Sequence, residues 1–401
     1  MRIVQINGTM KIGSTGKIMY ELNDVLEKNG HEGYMVSAYS TDTKLGNQYC
    51  TNSSHYDVPL KSNILISRIT GVMGYRHKKD TIRLIEWIDN INPDIIHLHN
   101  IHGDWIHLKT LFKYLEKKDM PVVWTLHDCW SFTGRCSHFE LCGCNKWESE
   151  CHNCHNKKVY PVTYFFDFSK KMFRDKKKMF TSLKNLTLVT PSAWLKKYVE
   201  QSFLQNYDVN VIHNGINTEK YESLEKPIYD KKIILGVASS WSSTKGFDDF
   251  LELDKKIDHS KYKIILVGLN NSQFSKIPST IQGIKRTNNE QELINLYSSA
   301  YVFVNLTYQD NFPTTNIEAL SCGTPVITYN TGGSPESVKP GTGFVVSKGD
   351  LDGVIEAIKK VDLLERSFCR EMAIHYFDKK ICYSKYLDLY ETIYERANEI
   401  V

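Results

Sequence analysis

The chain has 401 residues, of which 41% are hydrophobic, so it can bury one large core or, as the usual size of a domain leads us to expect, two. Lys and Arg number 50 and Asp and Glu 46, and the resulting net charge of +4 is too small to predict a polyanionic partner by itself. No apolar run approaches the ~20 residues that a membrane-spanning helix needs, so the sequence does not predict an integral membrane protein.

The first half of the chain alternates strand-like runs with longer amphipathic runs. Strands are predicted at 2–6, 33–38, 94–99, 122–127, 186–190 and 209–212, and helices at 15–28, 79–91, 105–117, 165–183 and from 192 onward. Because such alternation is typical of βα units, it predicts a mostly parallel sheet with helices on both faces.

The series restarts after Asn214-Gly215, a turn signal that polar residues follow. Strands are predicted at 232–238, 263–269, 281–285, 300–306, 325–329 and 343–346, and helices at 246–257, 289–299, 314–322, 350–361, 364–376 and 379–398. We therefore expect an α/β protein with two facing, Rossmann-like, doubly wound domains at 1–213 and 214–378. The last helix, within 379–401, is expected to pack back on the first domain, and ligands to bind in the cleft at the carboxyl ends of both sheets.

A glycine-containing loop follows the first predicted strand, in "NGTMKIGSTGKIMYEL". Gly13 and Gly16 lie at the start of a predicted helix, where backbone amides can approach a phosphate and the helix end supplies partial positive charge. The loop is not a Walker motif, because Lys17 is followed by Ile18. An ordinary tight turn explains the same glycines equally well.

A lysine in "GVASSWSSTKGFDDF" occupies a similar place in the second domain. Lys245 follows a predicted strand and precedes a helix, and from there an ammonium group can reach a diphosphate. The alternative, a solvated lysine, is disfavoured because a cation at a helix start opposes the helix dipole.

Two carboxylates lie eight residues apart in "YQDNFPTTNIEALSCGTPVITYNTGGSPE". Asp310 is in a loop after a predicted strand, and Glu318 is in the helix that follows Pro313. Carboxylates accept hydrogen bonds from neighbouring hydroxyls in pairs, so this arrangement suits a ribose and a second sugar. Without such a ligand, carboxylates of this kind cap helices or face solvent.

The stretch "DNFPTTNIEALSCGTPVI" resembles the donor-site signature of the family 4 retaining glycosyltransferases, which have the GT-B fold, with the carboxylates in the family's E-x7-E spacing. The segments "GSTGKI", "HD", "NGIN" and "TKG" follow the family's order, at 13–18, 127–128, 214–217 and 244–246. The stretches "HLHNIHG", "TLHDCWSFTGRC" and "IKRTNNEQEL" are similar to the colanic-acid and capsule-type bacterial branch. The resemblance covers nearly the whole chain.

The resemblance implies a nucleotide-sugar donor, with UDP-sugars ahead of GDP-sugars, and roles for single residues. Gly16 and its neighbours would donate amides to the diphosphate, and Lys245 would neutralise it as it leaves. Glu318 would bind the ribose, Asp310 the transferred sugar, and His127 would face that sugar from the first domain. The donor-binding set is Gly13, Gly16, Ser239, Lys245, Arg286, Asp310, Asn311, Phe312, Pro313, Thr314 and Glu318, and the catalytic set is His127, Lys245 and Asp310.

Two positions depart from the family's pattern. Asp310 replaces the usual first glutamate and is one methylene shorter, which would change the hydroxyl that it holds. Ser239 stands where an arginine commonly accompanies the lysine, so the diphosphate lacks one cation. Three roles are open for Arg286: it replaces the missing arginine, it contacts the base of the nucleotide, or it merely ends a strand.

The resemblance also implies a front-face mechanism, in which the leaving phosphate takes the proton of the acceptor. No protein nucleophile and no catalytic metal is then expected, and electrostatic stabilisation of the leaving group is the largest contribution. His127 would position the sugar, or else it is a satisfied histidine at a strand end.

The acceptor is expected to be a hydroxyl of a glycan or a lipid-linked molecule bound by the first domain. His97, His99 and His102 alternate along "HLHNIH", and since no acidic fourth ligand is evident, we favour acceptor-side residues over a metal site, with Asn100 among them. The basic segment 168–184, with Phe and Met at partly helical spacing, suits an anionic membrane surface or is a solvated helix.

Five of the ten cysteines lie in "GRCSHFELCGCNKWESECHNCH", within an expected insertion at 130–162. The spacing C-x7-C-x6-C-x2-C predicts a structural, tetrahedral zinc site of four thiolates that braces this loop. The predicted ligands are Cys136, Cys144, Cys151 and Cys154, with Cys142, His138, His152 and His155 as substitutes. The alternative is a set of buried free thiols. Because no signal segment precedes the first strand, the protein is predicted to be cytoplasmic, at the inner face of the membrane. Its thiols are therefore expected to stay reduced.

Three functions compete on these grounds. The leading prediction is a retaining glycosyltransferase of the hexosyltransferase type in bacterial surface polysaccharide synthesis. The second is a GT-B-type epimerase of nucleotide-sugars, which needs acid/base carboxylates and no acceptor surface. The third is a zinc-dependent nucleic-acid-binding module, which the near-neutral charge and the lack of a basic recognition helix disfavour, so no nucleic-acid partner is expected.

Overall fold

The computed structural model describes residues 1–40, 47–51, 60–157, 160–222 and 229–399. The chain divides into two compact units: Met1–Ile212 together with Tyr383–Val401, and His213–Cys382. Each unit contains one parallel β-sheet, and the predicted α/β fold class is confirmed.

The first unit holds a seven-stranded sheet. Its strands are β1 (Arg2–Met10), β2 (Glu32–Ser40), β3 (Gln48–Cys50), β4 (Ile95–Leu98), β5 (Val122–Thr125), β6 (Leu186–Thr190) and β7 (Val209–Val211). Its helices are α1 (Gly13–Lys28), α2 (Leu60–Thr70), α3 (Lys78–Ile91), α4 (Leu108–Lys118), α5 (Ser169–Phe180) and α6 (Ala193–Val199). The strand order is β3-β2-β1-β4-β5-β6-β7, so strands are added on one side of β1 and then on the other.

The second unit holds a six-stranded sheet in the order β10-β9-β8-β11-β12-β13. The strands are β8 (Lys232–Val237), β9 (Tyr262–Val267), β10 (Gln282–Ile284), β11 (Val302–Asn305), β12 (Val326–Tyr329) and β13 (Gly343–Val346). The helices are α7 (Phe247–Lys256), α8 (Asn271–Phe274), α9 (Glu290–Ser299), α10 (Thr314–Ser321), α11 (Leu351–Lys359) and α12 (Arg366–Phe377), followed by α13 (Lys379–Glu399). Here the direction of strand addition changes between β8 and β11.

Alternate residues of the second sheet enter two different hydrophobic clusters. Ile233 and Leu235 of β8 belong to one cluster, and Ile234 between them belongs to the other. Because successive side chains of a strand point to opposite faces, the two clusters lie on the two faces of the sheet. This explains the near-continuous apolar runs of the sequence, since both faces of each central strand are buried.

Most predicted elements are present, with shifted ends. The first strand continues to Met10 instead of ending at residue 6, and helix α4 begins at Leu108 instead of 105. The later start of α4 has a physical cause, because His107 Nδ1 accepts the backbone N–H of Thr110 at 3.2 Å and caps the helix. Strand β3 and helices α2 and α8 were not predicted.

Helix α13 joins the core of the first unit through buried hydroxyl groups. The Tyr390 hydroxyl lies 2.5 Å from His97 Nδ1, and the Tyr386 hydroxyl lies 2.9 Å from Thr125 Oγ1, which in turn lies 2.8 Å from His97 Nε2. These side chains are fully or almost fully buried. Among the described residues, none of the helices is long and apolar enough to cross a bilayer.

We expect Tyr390→Phe to destabilise the first unit by about 1–3 kcal/mol, because it leaves a buried nitrogen of His97 without its partner. Tyr394→Phe is the matched control, since Tyr394 lies one turn further along α13 and is exposed. Urea unfolding followed by circular dichroism measures both. Equal midpoints for the two variants would show that the bond to His97 contributes nothing.

Candidate functional site

The second unit brings Lys245 and Asp310 together at the carboxyl edge of its sheet. Lys245 ends a short 3-10 turn after β8, and Asp310 lies in the loop after β11. The Lys245 Nζ and Asp310 Oδ2 atoms are 2.5 Å apart, and the side chains are 36% and 21% exposed. Because β8 and β11 are neighbours across the point where strand order reverses, this is the place where α/β sheets bind ligands.

The loop that carries Asp310 is held by backbone contacts. The Tyr308 N–H donates to the Thr244 carbonyl at 2.8 Å, and the Gly333 N–H donates to the Asp310 carbonyl at 3.2 Å. Gly332 has φ +55°, and a Cβ built on it would lie 1.7 Å from the Asp310 carbonyl oxygen. Only glycine therefore fits at position 332 while Asp310 stays where it is.

Residues 311 to 313 are buried, so their side chains support the loop. The His213 ring stacks on the Phe312 ring with centroids 4.8 Å apart, and Asn214 Nδ2 donates to the Phe312 carbonyl at 3.3 Å. Asn311 is likewise buried. A ligand would meet the backbone of this segment, and the "NGIN" motif that begins at Asn214 acts as its support.

Glu318 lies on α10, and Tyr297 donates its hydroxyl to Glu318 Oε2 at 2.9 Å. Burial, followed by the charge of Glu318, raises the pKa of Tyr297 well above its ordinary value, so the phenol stays a donor. Thr314, the first residue of α10, is half-buried. Ser239 after β8 and Arg286 after β10 are exposed at the same edge of the sheet.

The two glycines at the start of α1 have different reasons to be glycine. Gly13 has φ +67°, with no atom within 4 Å of a Cβ built on it, whereas a Cβ on Gly16 would lie 3.0 Å from Thr9 Oγ1 and 3.2 Å from the Lys11 nitrogen. Ile12 occupies the N-cap position, and its apolar side chain makes no hydrogen bond to the helix. The first-turn amides of α1 thus lack a side-chain cap of their own, and Gly16 allows close packing.

A chain of hydrogen bonds defines the protonation of His127 in the first unit. Gln5 Nε2 donates to the Met19 carbonyl and to Asn23 Oδ1, both at 3.3 Å, so Gln5 Oε1 is the acceptor for His99 Nε2 at 3.2 Å. Neutral His99 then carries its lone pair on Nδ1, which accepts from His127 Nε2 at 3.1 Å. In neutral His127 the lone pair therefore lies on Nδ1, which makes Nδ1 a hydrogen-bond acceptor in this tautomer.

His99 and His127 are neutral at ordinary pH. Burial lowers the pKa of His127 to about 4 and the pKa of His99 well below its ordinary value. Burial alone would raise the pKa of Asp128, but the charge and the hydrogen bond of His102 lower it below its ordinary value. His102 Nε2 lies 3.1 Å from Asp128 Oδ2, and its Nδ1 lies 3.0 Å from the Tyr160 hydroxyl. Asp128 and Tyr160, which the predictions omitted, therefore belong to this cluster with His102.

One of the sequence-based interpretations in this unit is wrong. His97 is fully buried between Thr125 and Tyr390, so it is a core residue and not an acceptor-side residue. The other predicted acceptor-side residues follow β4 in the chain: His99, half-buried Asn100 and His102. The Phe and Met residues of α5 face the core, since Met172, Phe173 and Phe180 are buried.

The structure does not support the predicted zinc site. Among the described residues, no group of three or more His, Cys, Asp or Glu side chains is arranged to hold a metal ion. Cys136 Sγ lies 3.8 Å from Cys154 Sγ, but Cys151 Sγ accepts the Gly134 N–H at 3.1 Å, and Cys144 packs against the hydrophobic core. All ten cysteines are free thiols.

Aromatic packing holds this segment instead. The Phe139 and Trp147 rings lie 4.9 Å apart, and both contact the Tyr198 ring, at 5.2 Å and 5.5 Å. Of the substitute ligands, exposed His152 points Nδ1 at the Glu150 carbonyl. The cysteine-rich loop is thus anchored by aromatic rings on the first unit.

Two family descriptions match the chain. Residues 15–220 match Glycosyltransferase Family 4, and residues 220–374 match Glycosyl transferases group 1. The chain is also 24% identical, over 98% of its length and 100% of the relative, to WcaC of Escherichia coli, named as a colanic acid biosynthesis glycosyl transferase.

Solved structures share the fold. Sucrose-phosphate synthase from Thermosynechococcus elongatus superposes with a TM-score of 0.70 at 15% identity, covering 99% of this chain and 100% of that one. HepE from Anabaena, in complex with UDP-glucose, superposes with a TM-score of 0.66 at 14% identity, covering 98% and 100%. These likenesses confirm the predicted two-domain GT-B fold.

Replacing Gly332 by Ala should displace Asp310 and break its ion pair with Lys245. The matched control is Gly349→Ala, because Gly349 also has positive φ (+80°) but its nearest neighbour, the Tyr308 hydroxyl, is 3.5 Å from the added Cβ. Both variants should lose about 1 kcal/mol from backbone strain, and Gly332→Ala about 2 kcal/mol more. Urea unfolding measures the difference, and equal losses would contradict the close approach.

Acid should destabilise the first unit in a defined window. Histidine in an unfolded chain titrates near pH 6.5. Between about pH 6.5 and 4, position 127 is therefore protonated in the unfolded chain but neutral in the folded protein. The free energy of unfolding consequently falls as the pH is lowered through this range. His127 alone accounts for about 3 kcal/mol at pH 4.

The His127→Gln variant should lose that share of the pH slope in urea unfolding, whereas His152→Gln, at an exposed position, should keep it. If the His127→Gln slope matched that of the unchanged protein, His127 would not be the half-buried, neutral residue described above.

Proposed function

The chain belongs to glycosyltransferase family 4, and from that premise we propose that it transfers a sugar from a nucleotide-sugar to a hydroxyl of a glycan or lipid-linked acceptor, with retention of anomeric configuration. We assign it to bacterial surface polysaccharide synthesis, because the relative WcaC is named for colanic acid biosynthesis. UDP-sugars are the first choice of donor, since HepE, which shares the fold, is described in complex with UDP-glucose.

The observation that carries this proposal is the Lys245–Asp310 ion pair beside the β8–β11 switch point. A diphosphate brings more negative charge to Lys245 than one carboxylate does, so Lys245 would exchange Asp310 for the diphosphate when the donor binds. Asp310, released from the lysine, would then accept hydrogen bonds from the transferred sugar. Both side chains are partly exposed, so this exchange costs little desolvation.

In the reaction, the bond between the anomeric carbon and the diphosphate oxygen breaks, and a bond from that carbon to the acceptor oxygen forms on the same face. The acceptor proton goes to the leaving phosphate. Lys245 would stabilise the charge that develops on this leaving group, with exposed Arg286 as the second cation in place of the family's arginine.

The remaining residues would bind and orient. Glu318 would accept from the ribose hydroxyls, as it accepts from Tyr297 here, and the Asn311-Phe312 backbone would meet the sugar. Gly16 and its neighbours, including Gly13, would donate amides to the diphosphate. His127 would accept a sugar hydroxyl at Nδ1, the atom that the Gln5–His99 chain leaves unprotonated.

The competing functions are not favoured. An epimerase would need acid/base carboxylates, whereas Asp310 pairs with a lysine and Glu318 with a phenol. A zinc-dependent nucleic-acid-binding protein is disfavoured because the described part of the chain holds no grouped metal ligands.

A thermal-shift screen of UDP- and GDP-sugars, followed by NMR of the product formed with the best binder, tests the proposal. The product should have the anomeric configuration of the donor. Lys245→Met should lower kcat/KM by about 10²–10³-fold. Lys256→Met, which removes an exposed lysine paired with Asp352 on the same unit, should leave it unchanged.

Three outcomes would count against the proposal. If no nucleotide-sugar stabilises the protein, the donor assignment fails. If the anomeric configuration inverts, the mechanism fails. If an acceptor-free mixture yields an isomerised nucleotide-sugar, the epimerase is the better account.

A further inference from the structure

Helix α2 and the segment before α5 carry several exposed apolar side chains on the first unit. We call this set the aromatic patch, and it consists of Leu65, Ile66, Tyr164, Phe165, Phe166 and Phe168. The exposed fractions of Phe165, Tyr164, Leu65 and Phe166 are 71%, 60%, 57% and 55%. Contiguous apolar surface of this kind marks a place where a soluble domain meets a partner or a membrane.

The two parts of the patch are fixed to each other by backbone hydrogen bonds. The Tyr164 N–H donates to the Arg68 carbonyl at 2.7 Å, and the Phe166 N–H donates to the Ile69 carbonyl at 3.2 Å. Thr163 Oγ1 donates to the Phe166 carbonyl at 3.1 Å. The exposed rings are therefore displayed by an ordered backbone and do not belong to a loose loop.

The one carboxylate within the aromatic segment turns back into the protein. Asp167 Oδ2 accepts the Cys154 N–H at 2.7 Å, and its Oδ1 accepts the Ser169 N–H at 3.0 Å. The segment thus presents aromatic rings to the solvent, whereas the Asp167 carboxylate accepts hydrogen bonds from the backbone of the protein.

The charges beside the patch are mostly positive. Arg68 on α2 is exposed, and the exposed cations of α5 are Lys170, Lys171, Arg174, Lys177 and Lys178. Within the described part of the chain, these cations form ion pairs with two carboxylates, Glu150 and Asp175. Aromatic rings with a basic margin match the interface of a bilayer that contains anionic lipids, where rings occupy the headgroup level and cations contact the lipid phosphates.

We propose that the aromatic patch and the exposed cations of α5 bind the first unit to the surface of an anionic bilayer. The buried Phe and Met residues of α5 take no part, and α5 supplies charge alone.

This inference rests on the proposed function where it concerns the acceptor. Tyr160, whose hydroxyl lies 3.0 Å from His102 Nδ1, precedes Phe165 by five residues, a reach of at most about 18 Å along the chain. An acceptor whose lipid stays in the bilayer would therefore present its hydroxyl near the His102 cluster.

Sedimentation with vesicles tests the proposal on the full chain. Vesicles of phosphatidylcholine with about one third phosphatidylglycerol should bind the protein, and pure phosphatidylcholine should bind it at least about tenfold more weakly. Phe165→Ser with Phe166→Ser should weaken binding to the anionic vesicles about tenfold or more. The matched control, Phe274→Ser with Leu363→Ser, removes two exposed apolar side chains of the second unit and should bind like the unchanged protein.

A charge variant separates the two contributions. Lys177→Glu with Lys178→Glu should weaken binding to anionic vesicles about tenfold, and salt should reduce the difference. Thermal unfolding confirms that each variant folds, and donor binding should be the same in all of them, so a failure here is distinct from a failure of the donor assignment.

The proposal is overturned if the unchanged protein ignores anionic vesicles or if the Phe165→Ser, Phe166→Ser variant binds them equally well. A dimer that this variant abolishes, in a protein that does not bind vesicles, would instead identify the patch as a contact between two copies of the chain.

Discussion

Each sheet of this protein grows in both directions from its first strand, and that constraint decides where a ligand can be held. β8 lies between β9 and β11, so the order of the strands reverses there, and a crevice forms between the loops that follow β8 and β11 at the carboxyl edge of the sheet. Lys245 and Asp310 are 65 residues apart in sequence, yet these two loops bring their side chains into contact. The first unit repeats the arrangement with β1 and β4, whose following loops lead to Gly13 and His99.

The Lys245–Asp310 pair would give the proposed donor site two states. With Asp310 on Lys245, the charges neutralise each other. With a diphosphate on Lys245, the Asp310 carboxylate would become an acceptor for sugar hydroxyls, so binding of the nucleotide would expose the group that recognises the sugar. Gly332 lets the Asp310 backbone approach so closely that small changes there would disturb both states.

Apolar periodicity was sufficient to predict most of the regular elements, because central parallel strands are buried on both faces and appear as short apolar runs. It could not predict β3, which has three residues and no alternation, or the four-residue helix α8. Cysteine spacing predicted a metal, but contacts of Phe139 and Trp147 with distant Tyr198 hold that loop. One signal was available: Gln5, a polar residue inside the apolar run of β1, is the residue that orients His99.

The most direct test of the account is the affinity for UDP and for the best UDP-sugar, measured by calorimetry in Asp310→Asn and in Lys245→Met. The account predicts that Asp310→Asn binds free UDP as well as the unchanged protein, or more tightly, because a competing anion has been removed, while the UDP-sugar loses the affinity gained from its hydroxyls. Lys245→Met should weaken both ligands. If Asp310→Asn lowered the affinity for free UDP as much as Lys245→Met does, the ion pair would only stabilise the structure. The proposed exchange of Asp310 for the diphosphate on Lys245 would then be wrong.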